Sequence, residues 1–256
     1  VLGSFLLIRN MALIGDGIAH VTFGGVAVAL VVGTAYPLPF AAMFSVLAAV
    51  IIFELQDRGI LNGDTAIAII MTGTLAFGLV LLRLDDNIGG ITPVVEAFLY
   101  GNLLFIDNQS LDFICTIGLL ALLLLSLMYK GLLASAVDPI AARVQGIPVK
   151  AIGLTFSILT ALVVVSMVKI LGALLVTALL VSPAATAQQM AKSFRSSILF
   201  AQLYAVIAVV VGLYLSTEEN TGAGAMIALV AATGFAIVAT TRLLIRGVFL
   251  VRENLR

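Results

Sequence analysis

The chain has 256 residues, of which 62% are hydrophobic and 10% charged, and 13 basic residues balance 13 acidic ones. Ordinary soluble domains carry roughly 25% charged residues, so this composition, with a mean hydropathy of +1.24, is that of a polytopic membrane protein. No basic or acidic block is present, which argues against nucleic-acid binding, and one cysteine, Cys115, cannot form an internal disulfide.

Val1 to Ile8 is apolar but too short for a hydrocarbon core that takes ~20 helical residues. It reads as the back half of a helix beginning before Val1, not as a signal peptide. Apolar windows follow at about 13–33, 37–54, 64–82, 111–129, 151–168, 171–188, 196–216 and 223–244. Lipid offers no hydrogen-bond partners to an open backbone, so each window is expected to be a helix. The expected fold is therefore all-α, a membrane protein of about eight to nine transmembrane helices with short loops and a truncated first helix. No loop is large enough for a separate soluble domain and no internal repeat is visible, so 1–256 reads as a single transmembrane domain.

The first full window contains GDGIAHVTFGGVA, Gly15 to Ala27, with the carboxylate of Asp16 and the only histidine, His20. Four residues apart on a helix, both side chains reach one ligand. Ionisable groups are costly among residues this apolar and usually line a path or a site. Neutral imidazole and carboxylate oxygen suit Zn²⁺ and also serve Mn²⁺, but one of each is too few for a closed tetrahedral site. Two such pairs across a dimer axis supply four ligands. The bland alternative is that Asp16 and His20 bond only each other or neighbouring helices. Ala12, Gly24, Gly25 and Ala27 lie near this face, where small residues permit close helix approach or leave room for an ion.

Between the windows at 64–82 and 111–129, the segment 94–106 is too short to cross and is expected as an interfacial or re-entrant helix on the outer side, with Glu96 and Asp107 as surface charges beside it. With that topology Arg9, Arg58, Lys130, Arg143, Lys150, Lys192, Arg195, Arg242, Arg246, Arg252 and Arg256 are cytoplasmic, and only Arg83 and Lys169 are outside, a strong positive-inside asymmetry. Cys115 is expected as a small buried hydrophobe.

The cytoplasmic loop 130–150 is well punctuated. Asp138 caps a helix, Pro139 takes its first position, Gly146 its C′ position, and Pro148 prevents continuation. A two-turn helix, Pro139 to Gln145, presents Ile140, Ala141 and Val144 with one charge, Arg143. It either lies back on its own bundle or docks a cytoplasmic partner. Lys169 is expected to snorkel or cap carbonyls. Pro183, in Ser182 to Ala187, frees backbone carbonyls and makes a packing notch or a path-lining element. Glu218 and Glu219 end a span on the outer side, where a negative mouth attracts cations.

Four stretches in order, GSFLLIRNMALIGDGIAH, LYGNLLF at 99–105, DPIAARVQGIPV at 138–149 and GALLVTALLVSPAATA at 172–187, resemble the zinc/manganese permease family of bacterial ABC importers, and within it look most like the zinc-uptake type. The match spans nearly the whole chain. It implies a homodimeric permease in the bacterial plasma membrane, a separate cytoplasmic ATPase, an extracellular metal-binding protein, no permanently bound cofactor, and Zn²⁺ or Mn²⁺ as cargo. Asp16 and His20 match the family's pathway acid and histidine. The resemblance makes 138–149 the coupling loop and Asp138, Pro139, Ile140, Ala141, Arg143, Val144 and Gly146 its partner-facing residues. Relatives often have an acid followed by Thr and Pro near 219; here Asn220, Thr221 and Gly222 follow, so a metal role shifts to Glu219 or disappears. The Ala after Pro183 is closer to zinc permeases than to manganese ones, which places zinc ahead of manganese.

Rival classes are weaker. A secondary metal/proton antiporter also uses a membrane Asp and His but needs no capped docking helix. An intramembrane HExxH protease needs two histidines, and no GxxxxGK[ST] phosphate loop is present, so ATP hydrolysis is assigned to a partner chain and not to this one.

Overall fold

The apolar windows fold into helices, and no strand occurs among the described residues, which in this computed structural model are 1–34, 36–84, 98, 101, 108–219 and 221–254. The helices are α1 (Leu2–Ile8), α2 (Ile14–Val31), α3 (Pro37–Asp57), α4 (Gly63–Leu84), α5 (Asn108–Val137), α6 (Pro139–Val144), α7 (Val149–Leu171), α8 (Ala173–Met190), α9 (Phe194–Glu218) and α10 (Ala223–Asn254). Among the described residues, 7 of them (α2, α3, α4, α5, α7, α9 and α10) are long and apolar enough to cross a membrane. The short helix α8, 18 residues with Pro183 inside, occupies the remaining window. The segment 94–106 expected on the outer side, with Glu96 and Asp107, lies outside the described residues except for Phe98, whose ring meets Phe23 edge-on at 5.1 Å, and Gly101.

Local chemistry sets the helix ends. Pro37 opens α3 at a position where its missing N–H costs nothing. A single residue, Gly172 at φ +79°, separates α7 from α8, a conformation only glycine adopts cheaply. A reciprocal Ser193–Ser196 capping box starts α9. Asn10, at φ +54°, turns the chain between α1 and α2. Beside it the Arg9 guanidinium lies 5.4 Å from the centre of the Phe156 ring, and burial draws its pKa below the usual arginine value.

The bundle is organised around α2, 67% of whose span is buried, against 11% for α5 and for α10. It packs on α3 and α4 and also touches α7 and α8. Glycine makes the close approach possible. A Cβ on Gly25 would sit 2.7 Å from the Ala41 Cα on α3, and one on Gly24 would sit 3.0 Å from the Thr74 carbonyl oxygen on α4. These small residues therefore serve helix approach rather than room for an ion. A buried hydrogen bond, Thr22 Oγ1 to Ser45 Oγ at 3.0 Å, also joins α2 to α3. The helices α8, α9 and α10 form a second mutually packed group, and α2, α7 and α1 meet α8 along the seam between the two.

Two expectations resolve against this packing. Cys115 is exposed on α5, not buried. An apolar side chain in a bilayer is as well solvated by lipid as by protein, so hydrophobicity alone does not predict burial there. Around Pro183 the helix α8 continues without interruption, and the residue lines a small cavity of about 170 Å³ shared with Gly3 and Ser4 of α1. Gly3 sits directly against the Leu180 carbonyl, so this stretch acts as a packing notch for α1.

Candidate metal path and cytoplasmic docking helix

Asp16 lies in the first turn of α2, where the unpaired N–H groups and the helix dipole favour a carboxylate. His20 follows one turn on, and its Nε2 stands 3.6 Å from Asp16 Oδ1. That separation exceeds a hydrogen bond, so the two side chains do not simply satisfy each other. His20 Nδ1 is buried and has no hydrogen-bond partner among the described residues. The side chains keep 24% (His20) and 40% (Asp16) of their surface exposed, so the pair is partly open.

The structure adds a residue that sequence reasoning did not single out. Thr177 of α8 donates from Oγ1 to Asp16 Oδ1 at 3.4 Å, a long bond that crosses the seam. Its only sequence signal is a hydroxyl in the otherwise apolar run AlaLeuLeuValThrAlaLeuLeu. An ion at ~2.1 Å from both donor atoms, the usual bond length for nitrogen and oxygen ligands of zinc, would meet them at about 118° given the 3.6 Å separation. Closing the pair to ~3 Å brings that angle to about 90°, as an octahedral ion requires. Both geometries lie within small side-chain adjustments.

Glu219 does not join this pair. It is the C-cap of α9, and no group of three or more His, Cys, Asp or Glu side chains able to hold a metal exists among the described residues. Within one chain, Asp16 and His20 thus stand as a pair of candidate ligands, with no third such side chain beside them among the described residues.

The helix α6 forms as its caps dictate. Asp138 accepts hydrogen bonds from the Ile140 N–H at 3.0 Å and the Ala141 N–H at 2.9 Å. Gly146, at φ +78°, closes the C-terminus, with Gly146 N–H bonded to Arg143 O and Ile147 N–H to Ala142 O, both at 3.0 Å. This is a complete Schellman closure. The helix ends at Val144 with Gln145 as its cap, one residue earlier than expected. Ala142 is its buried contact, whereas Ile140 is 75% and Val144 85% exposed. Ala141 is half-buried, and Arg143 is exposed. The helix does not lie flat on its own bundle; it presents two bare aliphatic side chains.

The turn after α6 is tied to α3. Lys150, at the start of α7, bonds Glu54 at 2.8 Å and Asp57 at 3.4 Å, and Glu54 also holds Arg58 at 2.8 Å. A continuous set of contacts therefore runs from α6 through Lys150 to α3, and through Ser45 and Ala41 to the helix that carries Asp16 and His20.

Comparison with known proteins agrees with this architecture. Residues 1–242 match the ABC 3 transport family. The manganese transport system membrane protein MntC of Halalkalibacterium halodurans is 34% identical over 237 residues, covering 93% of this chain and 80% of that protein. The manganese import system permease protein ScaB of Streptococcus gordonii is 32% identical over 235 residues, with 92% and 83% covered. Among solved structures, PsaBC from Streptococcus pneumoniae in complex with Fab superposes with a TM-score of 0.78 at 32% identity, over 93% of this chain and 84% of that one.

Proposed function

The chain belongs to the ABC 3 transport family, and from that premise we propose that it is the membrane permease of an ATP-driven importer of a divalent first-row metal, acting as a homodimer in the bacterial plasma membrane. The observation that carries the reading is the half-site itself: a carboxylate and an imidazole 3.6 Å apart in the most enclosed of the candidate spans, not bonded to each other, with His20 Nδ1 unpartnered among the described residues. Two copies related by an axis near α2 bring two Asp16 and two His20 side chains to one ion. Waters complete the shell of a six-coordinate cargo. A set this loosely assembled suits a transporter, which must release what it binds.

We place manganese ahead of zinc. The relatives reported above carry manganese in their names. The alanine after Pro183, which tilted the sequence reading toward zinc, is Ala184, 2% exposed and packed toward Gly3 of α1. It is a packing choice and says nothing of ligand chemistry. The ATPase is a separate chain that docks on α6, and an extracellular binding protein delivers the cargo. Glu219 contributes at most to the outer mouth.

Uptake of radiolabelled Mn²⁺ and Zn²⁺ into vesicles holding the permease and its ATPase tests this. Asp16→Asn and His20→Ala are expected to abolish uptake of the cargo ion while the ATPase still co-purifies. Wild-type uptake in both variants would sink the site assignment, and uptake of Zn²⁺ in preference to Mn²⁺ would reverse the choice of metal. An antiporter would instead transport without the ATPase and respond to a proton gradient.

A further inference from the structure

At the cytoplasmic end, α5 and α9 form the walls of an open groove of about 470 Å³, lined by Tyr129, Lys130 and Leu133 on one side and Ser193, Phe194 and Arg195 on the other. Its floor is aromatic. Tyr129 and Phe194 stack at 6.2 Å, and the buried Phe5 of α1 meets both edge-on.

Each wall continues an outward apolar stripe. On α5, Leu119, Leu122, Leu123 and Leu127 are all more than half exposed, and at helical spacing Lys130 is the next position on that face. On α9, Leu203 and Leu199 are 59% and 67% exposed, and Arg195 is the next position on that face. Both stripes are therefore bare on the single chain along the span and end in a cation at the inner boundary. Lys130 and Arg195 are exposed, and neither makes an ion pair among the described residues.

The start of α9 adds neutral donors. Ser193 Oγ is engaged by the Ser196 N–H, leaving the N–H groups of the two preceding helical residues without intrahelical acceptors. Independently, Ser197 is 4% exposed, and its hydroxyl has no hydrogen-bond partner among the described residues; it lines an adjoining hollow of about 280 Å³ with Lys192 and Ser193.

We propose that this groove binds the headgroup of an anionic phospholipid from the inner leaflet, its phosphate between Lys130 and Arg195 and its acyl chains along the leucine stripes of α5 and α9. The commitment to lipid over a soluble anion or a protein carboxylate rests on the stripes. A free phosphate has no use for apolar walls leading away from the charge, and a cytoplasmic protein does not reach them.

The test is native mass spectrometry of the permease with its ATPase in mild detergent, titrated with phosphatidylglycerol or phosphatidylcholine. Phosphatidylglycerol is expected to be retained in preference. A juxtamembrane basic residue contributes about 1 kcal/mol to anionic-lipid binding, so Lys130→Gln and Arg195→Gln each weaken retention about fivefold, whereas Arg83→Gln, on the outer side, leaves it unchanged. Equal retention of both lipids by the wild type, or wild-type retention by the double variant, overturns the proposal. Displacement of the lipid by inorganic phosphate reassigns the groove to a free anion. Loss of the ATPase from the double variant with lipid retention unchanged reassigns the two charges to the protein interface.

Discussion

Asp138 offers the sharpest test of how this chain couples to its ATPase. Its carboxylate holds two N–H groups of α6 at 2.9 and 3.0 Å, and Asp138→Ala removes both bonds without touching the exposed Ile140 and Val144. Losing an N-cap costs about 1 kcal/mol, which is about fivefold in the ratio of formed to frayed helix. Helices this short are marginal on their own, and α6 has Ala142 as its one buried side chain, so little tertiary packing absorbs the loss. If only the formed helix docks, the apparent Kd for the ATPase rises as the formed fraction falls, by up to that factor when the frayed form dominates. Titrating purified ATPase against the permease in nanodiscs reads this directly. The expected order of affinity is wild type, then Asp138→Asn and Asp138→Ser, which keep an acceptor oxygen, then Asp138→Ala, weaker by up to about fivefold. Equal affinity for Asp138→Ala and wild type refutes the claim that the cap controls docking. An Asp138→Asn variant as weak as Asp138→Ala means that charge, not capping, is what the ATPase reads.

Ile140→Asp places a charge where the partner is expected to bury an aliphatic side chain, and the ATPase should no longer co-purify while the permease stays monodisperse. Lys150→Ala breaks the contacts to Glu54 and Asp57; since exposed ion pairs contribute about 1 kcal/mol at most, thermal stability should barely move, whereas ATP hydrolysed per metal ion transported should rise. Gly25→Leu drives a side chain into the Ala41 backbone 2.7 Å away and should cost ~1–3 kcal/mol, read as a lower melting temperature. Gly73→Ala meets nothing within 4 Å among the described residues and should be neutral or slightly stabilising. Thr177→Val removes the donor to Asp16 and should alter cargo affinity without abolishing uptake, measured as a shift in the half-saturating metal concentration.

The parts of this protein that were legible in its sequence are those decided by local chemistry. Asp138, Pro139 and Gly146 specify α6 almost residue by residue because caps act within one turn. The four-residue spacing of Asp16 and His20 guaranteed a shared face on any helix. Thr177 was illegible because its role depends on the approach of α8 to α2, which no local pattern encodes. Gly24 and Gly25 were read with two possible purposes, and only the positions of Thr74 and Ala41 decide between them. Cys115 was misplaced for a different reason. In a bilayer, apolar means compatible with either lipid or protein, and hydropathy does not separate the two.

The 3.4 Å bond between Thr177 and Asp16 crosses the seam between two packed groups of helices and ends on a carboxylate oxygen of the proposed metal pair. If those groups move as bodies when the path opens, a shift of about an ångström breaks that bond and returns a lone pair to Asp16. Access and affinity are then a single mechanical variable. The protein needs no separate signal to loosen its grip when the gate moves, because the gate's displacement is itself a change in the coordination chemistry.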